Sequence, residues 1–130
     1  MRRLVATLAV ALLFQMPACG APASDKSNYA QAVIVHFDYG QPDWSPFFAF
    51  EEGLERQIIA SAVGVYDGNE LAVDRSDGIL YMYGPDADKL FSVVKPILQS
   101  SPLLKNVVVT IRYGTVDDKS AREKTVRLST

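Results

Sequence analysis

Residues 37–48 read FDYGQPDWSPFF, and residues 81–91 read YMYGPDADKLF. Each stretch leaves an alternating segment through Tyr-Gly, passes a Pro-Asp pair, and enters an aromatic-bearing helical pattern. Glycine and proline close together mark the end of one regular element and the start of another. Both stretches are therefore strand-to-helix junctions, with Gly40 and Gly84 in matching places. A third Tyr-Gly, Tyr113-Gly114, closes the strand pattern that follows the second helix. The simplest reading is two copies of one strand-helix-strand unit.

Outward from the first junction, QAVIVHFDYG (31–40) alternates strictly. Val33, Val35, Phe37 and Tyr39 fall on one side, and Ala32, Ile34, His36 and Asp38 on the other, which is strand periodicity. Residues 45–62, SPFFAFEEGLERQIIASA, place Phe47, Phe50, Leu54 and Ile58 on one helical face. Ser45 is the expected cap and Pro46 suits the first turn. Gly53 costs about 1 kcal/mol relative to alanine inside a helix, so close packing is the expected reason for it.

VGVYDGNELAV (63–73) and GILYMYG (78–84) read as two strands joined by DRSD. Within the first, DGN reads as a turn or bulge, because these residues tolerate the backbone angles needed. Outward from the second junction, Leu90, Val93, Val94, Ile97 and Leu98 form the stripe of a helix that opens at Pro85 with Asp86 and Asp88 in its first turn. NVVVTIRYG (106–114) is a strong strand and KTVRLST (124–130) a weaker last one.

This order gives an α+β fold, a ferredoxin-like βαββαβ two-layer sandwich with an extra C-terminal edge strand. Right-handed crossovers put both helices on one sheet face. Val33, Val35, Phe37, Val107, Val109 and Ile111 are expected to meet the helices. Ile34, His36, Asp38, Val108, Thr110 and Arg112 are expected on the open face, joined by Leu80 and Met82. Such a face is a binding surface or a dimer interface.

The run VGVYDGNE, followed by YMYGPDADKLF and KPIL (95–98), resembles a group of small uncharacterised bacterial domains. The likeness covers roughly residues 50–114. It implies a single domain and brings neither an activity nor catalytic residues.

The chain opens with Arg2 and Arg3, then an apolar run from Leu4 to Phe14 broken only by Thr7. A basic end, a short apolar run and small residues beyond it form a secretory signal. The run falls short of the roughly 20 residues that span a bilayer. Met16-Pro17-Ala18-Cys19 resembles a lipobox, with Met and Pro where Leu and a small residue are usual. Cys19, the only cysteine, would then be the lipidated first residue; in an oxidising compartment a lone thiol has no internal partner. The rival exit is cleavage after Ala23, which releases a soluble periplasmic protein. The expected organisation is a signal peptide over 1–18, a tether over 19–30 and one domain over 31–130.

Loss of residues 1–18 removes Arg2 and Arg3, leaving 11 of the 13 basic residues against 15 acidic ones, a formal charge of −4. An acidic chain argues against nucleic acid, whose binding rests on clustered Lys and Arg. It argues equally against a polybasic membrane dock.

Catalytic chemistry has little to work with. His36 is the only histidine, and no G-x-S-x-G elbow is present. The sequence has no His pair and no cysteine pair for a metal, and DGNE and DRSDG lack the full calcium-loop spacing. No metal and no cofactor is expected. The candidate binding residues are His36, Asp38 and Arg112, a trio suited to a carboxylate or phosphate, with Asp67 and Glu70 as acidic contacts. Trp44, in the loop QPDWSP, is either a contact hot spot or a hydrophobic staple over the helix start.

Export, small size, an acidic surface and missing catalytic parts point to a non-catalytic binding protein of the bacterial envelope. The expectation is a lipid-anchored, protein-binding module of the immunity or inhibitor type. A periplasmic small-molecule or ion sensor and a structural envelope lipoprotein are the alternatives.

Overall fold

The computed structural model describes residues 30–130. The expected signal peptide, Cys19 with its lipobox, and the expected tether up to residue 29 lie outside the described residues. Seven elements follow: β1 (Gln31–Asp38), α1 (Ser45–Ala60), β2 (Val65–Leu71), β3 (Asp77–Gly84), α2 (Ala87–Ser100), β4 (Lys105–Arg112) and β5 (Glu123–Arg127). The fold is α+β. All five strands join one antiparallel sheet in the order β2-β3-β1-β4-β5. Among the described residues no helix is long and apolar enough to cross a membrane.

Register decides which side of the sheet each residue occupies, because directly opposed residues share a face. Val33 faces Met82 on β3 and Ile111 on β4, and Val35 faces Leu80 and Val109. None of these six exposes more than 1% of its surface. Leu54 and Ile58 from α1, with Leu90, Val94 and Leu98 from α2, pack against them in one core. Both helices therefore lie over one face, as the β1 and β4 alternation predicts.

Leu80 and Met82 correct the reading of β3. They were expected on the open face and are fully buried under the helices. Ile79, Tyr81 and Tyr83 take the open side instead, each half-buried. The segment is apolar on both sides, so only its pairing with β1 assigns the faces.

The helix starts also differ in detail. Trp44 occupies the cap position of α1 without a side-chain cap bond, and Ser45 is already helical. Asp43 Oδ1 accepts from the Ser45 N–H at 2.8 Å, taking over the role expected of the serine. That contact holds the Asp43 carboxyl below the usual carboxylate range. At α2, Asp86 is the cap and accepts from the N–H groups of Asp88 and Lys89 at 3.0 and 3.1 Å. Gln31 Oε1 accepts from Ala87 N–H at 2.8 Å, which ties the helix start to the first residue of β1. Pro96 lies within α2, which continues to Ser100.

Gly53 is not explained by packing. A Cβ built there meets nothing within 4 Å. Gly53→Ala should therefore raise stability by about 0.5–1 kcal/mol through helix propensity alone, seen as a higher urea midpoint with an unchanged slope.

Candidate functional site

The face away from the helices carries rows of side chains fixed by register. One row runs Val65–Tyr83–Ala32–Arg112–Glu123 and another Glu70–Ile79–His36–Val108–Arg127. Between them lie Tyr81, Ile34, Thr110 and Thr125. Ile34, Ile79, Tyr81, Tyr83 and Val108 are half-buried, with no described element over them. The centre is thus apolar and aromatic, and the charges sit at its corners.

The expected trio does not assemble. His36 stands opposite Val108, and Arg112 four residues further along β4, about 13 Å away at strand spacing. Arg112 Nη1 donates to Glu123 at 2.7 Å, and its remaining nitrogens donate to the carbonyls of Thr115, Val116 and Asp118. Its side chain keeps 16% exposure. The guanidinium is committed to fastening the β4–β5 connection.

His36 instead meets Asp77, with Nε2 3.1 Å from Oδ2. Asp38 accepts from Asn106 Nδ2 at 2.7 Å. Asp38 and Asp77 are direct cross-strand partners, and Lys105 pairs with Asp38 from the other side. Asn106 holds a left-handed backbone (φ 50°) beside a register shift between His36 and Asp38. Asparagine accepts that conformation better than most residues. Asp38, Asp77, Lys105 and Asn106, with Ser76, Tyr39 and Gly40, line a shallow cleft of about 460 Å³; His36 lies outside it.

This arrangement does not activate a nucleophile. Ser76 Oγ donates to Asp74 at 2.6 Å and lies 3.3 Å from Asp77 Oδ1, while His36 approaches the other Asp77 oxygen. The carboxylate sits between serine and histidine. A hydrolytic triad needs the imidazole between serine and carboxylate. Among the described residues no group of three or more His, Asp or Glu is placed to hold a metal. What the cleft offers is two opposed carboxylates beside a single lysine, Lys105, a net negative charge suited to a cationic group.

Trp44 joins an aromatic cluster. It stacks on Tyr39 at 4.2 Å between centroids and 14° between planes, and meets Phe47 edge-on at 5.4 Å. It is half-buried against the core at the start of α1. Asp67 is the extra residue of a bulge between Tyr66 and Gly68 on the outer strand, as DGN implied. Glu70 lies at a corner of the open face. Its charge and hydrogen bond, after burial, raise the Tyr81 hydroxyl above its ordinary value.

A second polar cluster lies on the helix side. Tyr66 Oη and Asn69 Nδ2 both donate to Glu51 Oε1, pinning α1 to β2. Burial first, and then the bond to Glu51, push the Tyr66 phenol well above its ordinary 10.0. The folded chain therefore keeps a proton that the unfolded chain releases. This contribution is complete below pH 10 and is lost as pH rises towards the raised folded value. Urea midpoints should accordingly fall from about pH 10 upward, and Tyr66→Phe should flatten that decline while costing about 1–2 kcal/mol at neutral pH.

Asp77, Asn106 and Lys105 were not singled out by sequence reasoning. Asp77 read as part of a turn, and its nearness to His36 depends on a pairing 41 residues apart. No protein-family model, curated protein or solved structure matches the chain.

Proposed function

We propose that the chain is an exported, lipid-anchored, non-catalytic binding protein of the bacterial envelope, of the immunity or inhibitor type. Its partner is a protein that presents a basic side chain. Its fold is the ferredoxin-like sandwich: the run β2-β3-β1-β4 with two helices on one face fits that arrangement, and β5 extends its edge.

The observation that carries the reading is the Asp38–Asp77 pair. Like charges directly opposed on neighbouring strands are destabilising. His36 bonds Asp77 and Asn106 bonds Asp38 from the side, and the cleft lined by both carboxylates, with Lys105 at its β4 edge, keeps an excess of negative charge. A lysine or arginine from a partner relieves the repulsion, and charge complementarity of this kind sets specificity and association rate. Other acidic residues are engaged within the fold: Glu51 by Tyr66 and Asn69, Asp86 by the α2 cap, and Asp88 by Tyr113. Glu70 and the cleft carboxylates remain at the open face.

The test is copurification from envelope extracts. Wild-type protein should capture a specific partner, and the D38N/D77N double variant should lose it while melting at the same temperature or higher. Equal capture by both, or none by wild type, contradicts the reading. Intact mass of the mature protein tests the anchor: a diacylglyceryl-sized addition on Cys19 supports it, and a start at Ser24 refutes it. A second reading has the cleft taking a small cationic ligand, favoured by its volume of about 460 Å³. A thermal shift with small amines that disappears in D38N/D77N would support that alternative.

A further inference from the structure

We propose that the apolar centre of the open sheet face is an interface with a second copy of this chain, related by a two-fold axis running along β1. The sheet is symmetric in its strand count about β1, with two strands on each side. A two-fold axis along β1 lays β2 over the copy's β5 and β3 over its β4, with each cross-strand row kept level. In the row Glu70–Ile79–His36–Val108–Arg127, this sets Glu70 of each copy against Arg127 of the other. Ile79 meets Val108, and Ile34, in the neighbouring row, meets its own counterpart on the axis.

The face is therefore self-complementary in charge at the Glu70 and Arg127 corners and in apolarity at its middle, as an isologous contact requires, while at the other two corners Glu123, already paired with Arg112, lies against Val65. Arg127 is exposed and makes no ion pair among the described residues, so it is available to a carboxylate from a copy. Sheets packed face to face keep their strands within about 30° of each other, which an axis along the mean strand direction satisfies. His36 and Asp38, both on β1, each meet their own copy on the axis, and Asp38 is the less favourable of the two; Lys105 and Asn106 flank it from β4.

The scale fits a weak pair. Five strands about 4.8 Å apart and some six residues of about 3.3 Å give a patch of roughly 450 Å² in projection per copy, or about 900 Å² for the pair, which is below the roughly 1,200 Å² of stable interfaces and in the range of weak, transient ones. Anchoring both copies in one membrane raises their effective concentration. The axis also places both Asp38–Asp77 clefts at the same end of the pair. This consequence rests on the binding function proposed above, whereas the pairing itself needs only the uncovered face.

Sedimentation equilibrium on the mature protein, over a wide concentration range, tests the inference. Wild type should show a reversible monomer–dimer equilibrium. Glu70→Arg and Arg127→Glu should each weaken it by at least about tenfold, since each sets two like-charged contacts across the axis. An equimolar mixture of the two variants should recover wild-type affinity, because both contacts then pair opposite charges. Circular dichroism checks that each variant is folded. A wild type that stays monomeric throughout, or a mixture no tighter than the single variants, overturns the pairing. Lost pairing with partner capture intact removes this inference alone, and lost capture with pairing intact removes only the binding function.

Discussion

Phe37→Ala should lower folding stability by about 3–5 kcal/mol. Phe37 exposes none of its surface and sits on the central strand of the sheet. Its ring stacks on Phe47 at 5.4 Å and 19°, and meets Tyr39 edge-on at 6.5 Å. It also packs tightly against Gly78, where a Cβ would lie 2.6 Å from its Cζ. Truncation thus removes the contact between β1 and the first turn of α1 and leaves a cavity under a stiff aromatic cluster that cannot collapse cheaply. Domains of this size hold only about 5–15 kcal/mol in total, so the variant should be close to unfolding at 37 °C. Phe48, one residue beyond Phe47 and 47% exposed, is the control. Phe48→Ala should cost under about 1 kcal/mol. Urea midpoints for the pair check both values.

Gly84→Ala should cost more than about 3 kcal/mol. A Cβ there would lie 2.4 Å from the carbonyl oxygen of Val63. The obstacle is backbone on both sides, since Gly64 approaches Tyr83 with the same closeness: its Cβ would be 2.1 Å from that carbonyl oxygen. Relief requires the chain entering β2 to move away from the end of β3. Gly40, its counterpart at the first junction, differs. Its Cβ would meet nothing within 4 Å, and the demand is only a φ of +74°. Gly40→Ala should therefore cost about 1–2 kcal/mol, the penalty of a left-handed alanine. Equal losses at the two sites would contradict this division, and denaturant titration separates them.

The paired junctions show what the letters carry and what they leave out. Both do join a strand to a helix, and each unit encloses one intervening strand: β3 lies between β1 and β2, and β1 between β3 and β4. Yet the two Tyr-Gly pairs do different work. Tyr39 is buried under the helices and donates to the Asp43 carbonyl at 2.9 Å, whereas Tyr83 faces the open side. Alternation was legible in β1 and β4 because one parity is plainly more apolar. In β3 both parities are apolar, so Leu80 and Met82 were misplaced until the pairing with β1 assigned them. The helix faces were legible at 3.6 periodicity, with Phe47, Leu54 and Ile58 buried in α1 and Leu90, Val94 and Leu98 in α2.

The site was less legible, for the same physical reason. His36 was visible as the sole histidine, but its partner is chosen by strand register. Arg112 looked available and is occupied by carbonyls from a loop whose path no local pattern encodes. Asn106 emerges only from its left-handed backbone and its bond to Asp38, two consequences of the register shift beside it.

Hydroxyl-radical footprinting of the tyrosines, on dilute purified protein and on intact envelopes, tests most directly whether one sheet face is sealed by helices and the other is kept for docking. Tyr81 and Tyr83 should be oxidised several-fold faster than buried Tyr39 in dilute protein, and should become protected in the envelope while Tyr39 stays unchanged. Tyr81 and Tyr83 as slow as Tyr39 in dilute protein, or equally fast in both settings, would contradict it.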